Sequence, residues 1–120
     1  MFKEVIKSCK IGAFDVEVFV VPSQDQFDGD PTEDQMIRNG DARWLDLICT
    51  ASVAHTAIAT ETYWGLVVED VAQLEDNGQV NDIIQDVMQD ACYKLEQIKI
   101  VANKFESMDA FAGVTGDFED

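Results

Sequence analysis

The fold is decided by residues 80–105, which read VNDIIQDVMQDACYKLEQIKIVANKF. Val80, Ile83, Ile84, Val87, Met88, Ala91, Cys92, Leu95, Ile98, Ala102 and Phe105 recur at spacings of three and four. That period gives a helix of about seven turns with one apolar side. A helix of this kind needs a broad apolar surface to lie on, and the residues before it supply one. Phe14, Val16, Val18 and Val20 alternate with Asp15, Glu17 and Phe19, the period-2 pattern of a half-buried strand. Ile11-Gly12-Ala13 supplies a turn back to a first strand around Lys3 to Ile11, and Pro22 closes the second strand.

A second β region runs from Arg43 to Tyr63. Leu45, Leu47, Cys49, Ala51 and Val53 alternate with Trp44, Asp46, Ile48, Thr50 and Ser52. Ile58, Thr60, Thr62 and Trp64 continue the β-favouring composition beyond a connection near Ala54-His55-Thr56. The connection lacks Gly and Asn, so its turn type is not readable. Asp30-Pro31-Thr32-Glu33 marks a helix start, with Asp30 as cap, Pro31 in the first turn and Glu33 completing a capping box; Asn39-Gly40 stops that helix. Val67 to Asp76 reads as a second short helix stopped by Asn77-Gly78. The order ββ-α-ββ-α-α predicts an α+β protein: an antiparallel four-stranded sheet packed by a long C-terminal helix. Residues 1–105 are expected to form a single domain and 106–120 a loosely ordered acidic tail, docking through Phe111 and Phe118 being the alternative.

The chain has 120 residues, 47% of them hydrophobic, and a net charge of −16 from 24 acidic and 8 basic side chains. This apolar content supports a core despite the charge. The charge argues against direct contact with nucleic acid or an anionic membrane, both of which are bound through clustered Lys and Arg. No apolar run approaches the ~18 residues of a membrane span, and the N-terminus lacks a signal-peptide pattern. A soluble, cytoplasmic protein is expected. Cys9, Cys49 and Cys92 are odd in number and widely spaced, so they are read as buried thiols in a reducing compartment.

The acids are unevenly placed. Residues 1–24 and 47–60 sum to zero, 25–46 to −5, 61–90 to −8, 91–105 to +2 and the tail to −5. Asp82, Asp86 and Asp90 lie four apart on the polar side of the long helix, about 6 Å between neighbours. Like charges at this spacing cost a few tenths of a kcal/mol per pair, and only those near the helix start gain from its dipole. A merely solvated face intersperses Glu with Lys, as the second half of this helix does. A row of carboxylates at that spacing resembles one strand of nucleic-acid phosphates in sign and period, and its natural receptor is a cationic DNA- or RNA-binding groove. Glu69, Asp70, Glu75 and Asp76 on the preceding short helix form a second acidic surface.

Chemistry is not encoded in any familiar pattern. Asp25, Asp28, Asp30, Glu33 and Asp34 are a dense acidic cluster, but Asp28-Gly29-Asp30-Pro31 breaks the calcium-loop sequence, and a capped helix beside a solvated loop explains it. His55 lies in a connection with no nucleophile motif around it and reads as a turn histidine. No phosphate-binding, zinc-protease or nucleophile-elbow motif occurs. No metal, no cofactor and no enzymatic activity are expected. Trp44, Tyr63 and Trp64 read as aromatics packing against the sheet-covering helix.

The stretch from Trp44 through Trp64-Gly65, then a short acidic helix and a long one, resembles small proteins of phages and plasmids. With a pI near 4.1, the chain is similar to acidic phage inhibitors of host defence, the anti-CRISPR and anti-restriction proteins that mimic DNA. The resemblance implies a non-enzymatic inhibitor in the host cytoplasm whose partner is a basic nucleic-acid-binding protein, a CRISPR effector or restriction enzyme. The expected contact residues Asp82, Asp86, Asp90, Glu69, Asp70, Glu75 and Asp76 come from charge count and helix spacing alone. The alternative is an interaction module, such as a homodimer, with a merely solvated acidic face.

Overall fold

The computed structural model describes residues 3–24 and 26–107; the tail expected over 106–120 lies almost wholly outside the described residues, as do Asp25, Phe111 and Phe118. The elements in chain order are β1 (Glu4–Ile11), β2 (Phe14–Pro22), α1 (Pro31–Asn39), β3 (Arg43–Val53), β4 (Thr56–Val68), α2 (Ala72–Asp76) and α3 (Gln79–Ser107). The strands form one antiparallel meander in the order β1-β2-β3-β4, and α3 packs across its inner face against β4, β3 and β2. The α+β architecture read from the sequence is the one observed.

Register explains the core. Val16 pairs with Ala51, Val18 with Cys49 and Val20 with Leu47, so the apolar positions of β2 and β3 share one face. Val18, Val20, Leu47, Cys49 and Ala51 are fully buried there beneath Val80, Ile83, Val87 and Ala91 of α3 and Leu74 of α2. Burying each of these larger aliphatic side chains contributes roughly 1.5–3 kcal/mol. The sheet covers only the first half of α3. Among the described residues Leu95 is the last helix side chain packed on the core, and Ile98 and Ala102, which continue the apolar period, are exposed.

The chain reverses differently at the two hairpins. Gly12 takes φ +60° in the β1–β2 turn, where a missing Cβ removes the penalty. The β3–β4 turn is made by Ala54 and His55, both left-handed, at φ 50° and 67°. Two successive positive φ values are the type I′ arrangement that matches strand twist and normally selects Asn-Gly. Ala and His hold it under strain, which is why the turn type was not legible.

Several boundaries differ from the sequence reading. Val67 and Val68 pair with Trp44 and Arg43 and so belong to β4, not to a helix; α2 is only the five residues Ala72–Asp76, so Glu69 and Asp70 lie before it, and the Asp70 carboxylate accepts from Ala72 N–H at 3.0 Å. Asp46, expected on the solvent side, is buried. Leu45 faces Leu66 and Leu47 faces Tyr63, so Asp46 opposes two residues, Trp64 and Gly65. This is a β-bulge, and the Asp46 carboxylate accepts from Gly65 N–H at 2.9 Å. Gly65 has φ +65°, and a Cβ there would meet the Trp44 ring at 2.5 Å. Trp44 therefore lies flat over the bulge with Phe27 against it edge-on, ring centroids 4.9 Å apart, and does not pack under α3. Trp64, expected in the core, is 69% exposed. Of the cysteines only Cys49 is buried; Cys9 is half-buried and Cys92 exposed. Cys92 follows Ala91 by one residue, a 100° turn of the helix that carries it off the sheet.

α1 begins as expected, with the Asp30 carboxylate accepting from Thr32 N–H and Pro31 in the first turn. It ends at Gly40 (φ 83°), where Gly40 N–H and Asp41 N–H return to Ile37 and Met36 carbonyls. It buries no residue. Among the described residues, no helix is long and apolar enough to cross a membrane.

Replacing Ala54 with Asn and His55 with Gly is expected to raise unfolding free energy by about 1–2 kcal/mol, since both backbones then sit in favoured left-handed conformations. Urea denaturation of the double variant checks this, and an unchanged midpoint contradicts a strained turn.

Candidate partner-binding surface

An antiparallel meander sorts its connections to two ends. The tight turns at Gly12-Ala13 and Ala54-His55 lie at one. The β2–β3 connection, residues 23–42, and the segment from β4 into α3, residues 69–82, lie at the other. Among the described residues those two segments contain Asp28, Asp30, Glu33, Asp34, Asp41, Glu69, Asp70, Glu75, Asp76 and Asp82 against the single base Arg38. The topology thus gathers acids from distant parts of the sequence at one end of the sheet. Counting by segment detects each group but not their common end, because that depends on strand direction.

Glu69, Asp70, Glu75 and Asp76 are all exposed, as are Asp82 and Asp86. Among the described residues none of these six makes an ion pair. Each nevertheless stands in a local context. Gln73 Oε1 accepts from Glu69 N–H at 2.9 Å, closing the turn that presents both acids, and Asp70 caps α2 as described above. Glu75 and Asp76 line a shallow groove between α2 and the start of β1, beside Glu4, whose carboxylate is engaged by Arg43 at 3.1 Å.

The row on α3 is less uniform than its spacing implies. At 100° per residue, Asp86 lies 40° and Asp90 80° around the helix from Asp82, so the row drifts from open solvent toward the sheet. Asp82 is open. Asp86 accepts a hydrogen bond from the Tyr63 hydroxyl of β4. Asp90 is half-buried and pairs with Lys94 at 3.1 Å, one turn on. The expected three-residue stripe is therefore one free and two engaged carboxylates, and the freer acids lie toward α2. Tyr63 is the residue that sequence reasoning assigned to packing alone: it does pack against the core, but it also fixes an acid of the row. Its place beneath α3 follows from the β-bulge, which no local pattern announced.

Tyr63 records the acidity of its surroundings. Burial first, then the hydrogen bond to Asp86 and the fields of Asp86, Asp82 and Glu61, push its hydroxyl pKa well above the ordinary ~10. Burial, together with Cys9 and Glu61, likewise pushes the Cys49 thiol up to about 12, so it stays protonated and unreactive at neutral pH.

Other candidate chemistry is sparse. His55 is exposed at the hairpin tip. An open hollow on the sheet face away from α3 is lined by Lys3, Asp15, Glu17, Phe19, Thr50 and His55, but its charges pair among themselves and with Lys10: Lys3–Glu17 at 2.6 Å and Lys10–Asp15 at 3.3 Å, with Lys3 also 4.3 Å from the Phe19 ring centroid. Among the described residues no three His, Cys, Asp or Glu side chains converge to hold a metal ion. No known protein family, curated protein or solved structure matches the chain.

Because Tyr63 ionises less readily in the fold than in the unfolded chain, its contribution to stability is intact below pH ~10 and declines as pH rises beyond it. Tyr63→Phe is expected to cost about 1 kcal/mol or less at pH 8, the bond being partly exposed. The difference from wild type should narrow at pH 11. Urea unfolding at the two pH values checks this; a constant difference contradicts the role given to the Tyr63–Asp86 bond.

Proposed function

We propose that the protein is a non-enzymatic inhibitor that offers its acidic end to the cationic nucleic-acid groove of another protein, in the manner of phage or mobile-element anti-defence proteins directed at CRISPR effectors or restriction enzymes in the host cytoplasm. The observation that supports this reading is the exposed group Glu69, Asp70, Glu75, Asp76, Asp82 and Asp86, free of ion pairs among the described residues and gathered where the topology also delivers the acids of the α1 segment. Carboxylates left without bases repel one another and weaken the fold slightly. A receptor lined with Lys and Arg turns that repulsion into attraction and speeds encounter.

Asp86 and Asp90 serve as supporting members of this surface, since Tyr63 and Lys94 already engage them. Glu75, Asp76 and Asp82 are the leading contact residues because no such partner competes for them. Asp70 has a second duty as the cap of α2, so its replacement confounds folding with binding.

The test is inhibition of DNA binding across a panel of purified CRISPR effectors and restriction enzymes. Wild type should inhibit at least one member, and inhibition should weaken steeply between 50 and 200 mM salt, on the order of tenfold or more. Glu75→Lys, Asp76→Lys and Asp82→Lys together should reduce it at least tenfold while leaving the unfolding midpoint within the range of surface substitutions. Undiminished inhibition by the folded triple variant, or inhibition indifferent to salt, contradicts the assignment.

A further inference from the structure

One hollow at the acidic end has apolar walls. It is a groove of about 340 Å³ between the first residues of β1 and α2. Val5 and Ile6 line it from the edge strand, Val71 and Ala72 from the start of α2, and Glu4, Glu75 and Asp76 stand around them. Ile6 and Val71 are half-buried and packed on the core, whereas Val5 is 48% exposed and Ala72 is exposed. Apolar side chains are thus left facing water beside carboxylates, in a hollow near the lower end of the roughly 300–1,000 Å³ range of ligand sites.

The walls and the charge together select the occupant. Glu4 is already engaged by Arg43 at 3.1 Å, while among the described residues Glu75 and Asp76 have no base. Both close α2, and the carbonyl end of a helix favours a cation over an acid. A purely apolar occupant strips water from two unpaired carboxylates, which is costly. A small inorganic cation leaves Val5, Ile6, Val71 and Ala72 wet. An arginine side chain meets both demands. Its methylenes lie along apolar surface while its planar head forks to carboxylate oxygens. The Arg43–Glu4 pair is the same chemistry already in use at the edge of the groove.

We infer that this groove receives an arginine side chain presented by another protein, its stem against Val5, Ile6, Val71 and Ala72 and its guanidinium on Glu75 and Asp76. The inference rests on the inhibitory reading for its partner and deepens it, because nucleic-acid grooves hold arginines that clamp phosphates. A phosphate offers such an arginine oxygens but no cover for its methylenes. The groove offers both, so the acidic end competes for that side chain through a contact that a phosphate cannot make.

Titration of the full chain with N-acetyl-arginine N-methylamide at constant ionic strength, read by amide chemical shifts, tests this. Methylguanidinium supplies the head without the stem, and N-acetyl-norvaline N-methylamide supplies the stem without the head. Shifts should centre on residues 4–6 and 71–76. The arginine amide should bind more tightly than methylguanidinium by a factor on the order of five, since its methylenes leave water. The norvaline amide should give no saturable shift. Ala72→Leu, which fills the groove with a good helix former and keeps every acid, should bring the arginine amide down to the affinity of methylguanidinium. Val5→Thr, which keeps shape and β preference, should lower it in the same direction. Equal affinity of wild type for the arginine amide and methylguanidinium overturns the inference, as does undiminished arginine binding in both variants, or a shift pattern centred on other acids. The same variants in the DNA-binding inhibition panel separate the two readings. Inhibition lost to the Glu75, Asp76 and Asp82 reversals but retained by Ala72→Leu overturns this inference and leaves the inhibitory reading standing. A panel in which wild type inhibits no member contradicts the inhibitory reading, while the titration still decides the groove.

Discussion

The contact between the first four turns of α3 and the inner face of β2, β3 and β4 is the constraint on which the rest of the molecule depends. Val80, Ile83, Val87 and Ala91 reach full burial only against the alternating side chains of the central strands, and those strands expose their apolar face unless the helix lies there. Once the helix is seated, its rotation is set. The positions just before Ile83 and Val87 then turn away from the sheet, which exposes Asp82 and Asp86 and brings the latter beside Tyr63. The helix is longer than the sheet that holds it, and among the described residues this mismatch leaves the apolar side from Ile98 to Ala102 exposed.

The same packing polarises the molecule. This meander places its long connections and its tight turns at opposite ends, and the two long connections hold eleven of the 24 acids against the single base Arg38. Among the described residues the acidic end therefore has few ion-pair partners, while residues 91–104 in the second half of α3 carry a net +2 and are partly apolar. The two halves of α3 therefore stand in surroundings of different chemistry, one acidic and the other partly apolar.

Much of this was legible before any coordinates. The period of α3, the alternation of β2, the cap at Asp30-Pro31 and the stop at Asn39-Gly40 each express a local rule, and each appears where that rule puts it. What was not legible depended on partners distant in sequence. Val67 and Val68 carry a helix-compatible spacing, but pairing with Trp44 and Arg43 makes them strand. Asp46 sits on the polar side of an alternation, yet the two-residue bulge at Trp64-Gly65 buries it. The acidic row was visible as spacing, whereas its unequal members were not: Asp90 turns toward the sheet and Lys94, and Asp86 meets a tyrosine from β4. The union of the α1 and α2 acids at one end required strand directions, which composition does not contain.

Mutual exclusion tests the central claim most directly. If the acidic end occupies a nucleic-acid groove, the inhibited CRISPR effector or restriction enzyme, preloaded with a saturating duplex of its own DNA target, should lose its affinity for this protein, and titrating more protein should release the duplex in proportion to complex formed. Fluorescence anisotropy of labelled duplex, followed by gel filtration of the mixture, reads both quantities. Release of the duplex with no three-component species is the result the account predicts. A stable complex containing enzyme, duplex and this protein together contradicts it, because the acids would then be doing something other than standing in for phosphates.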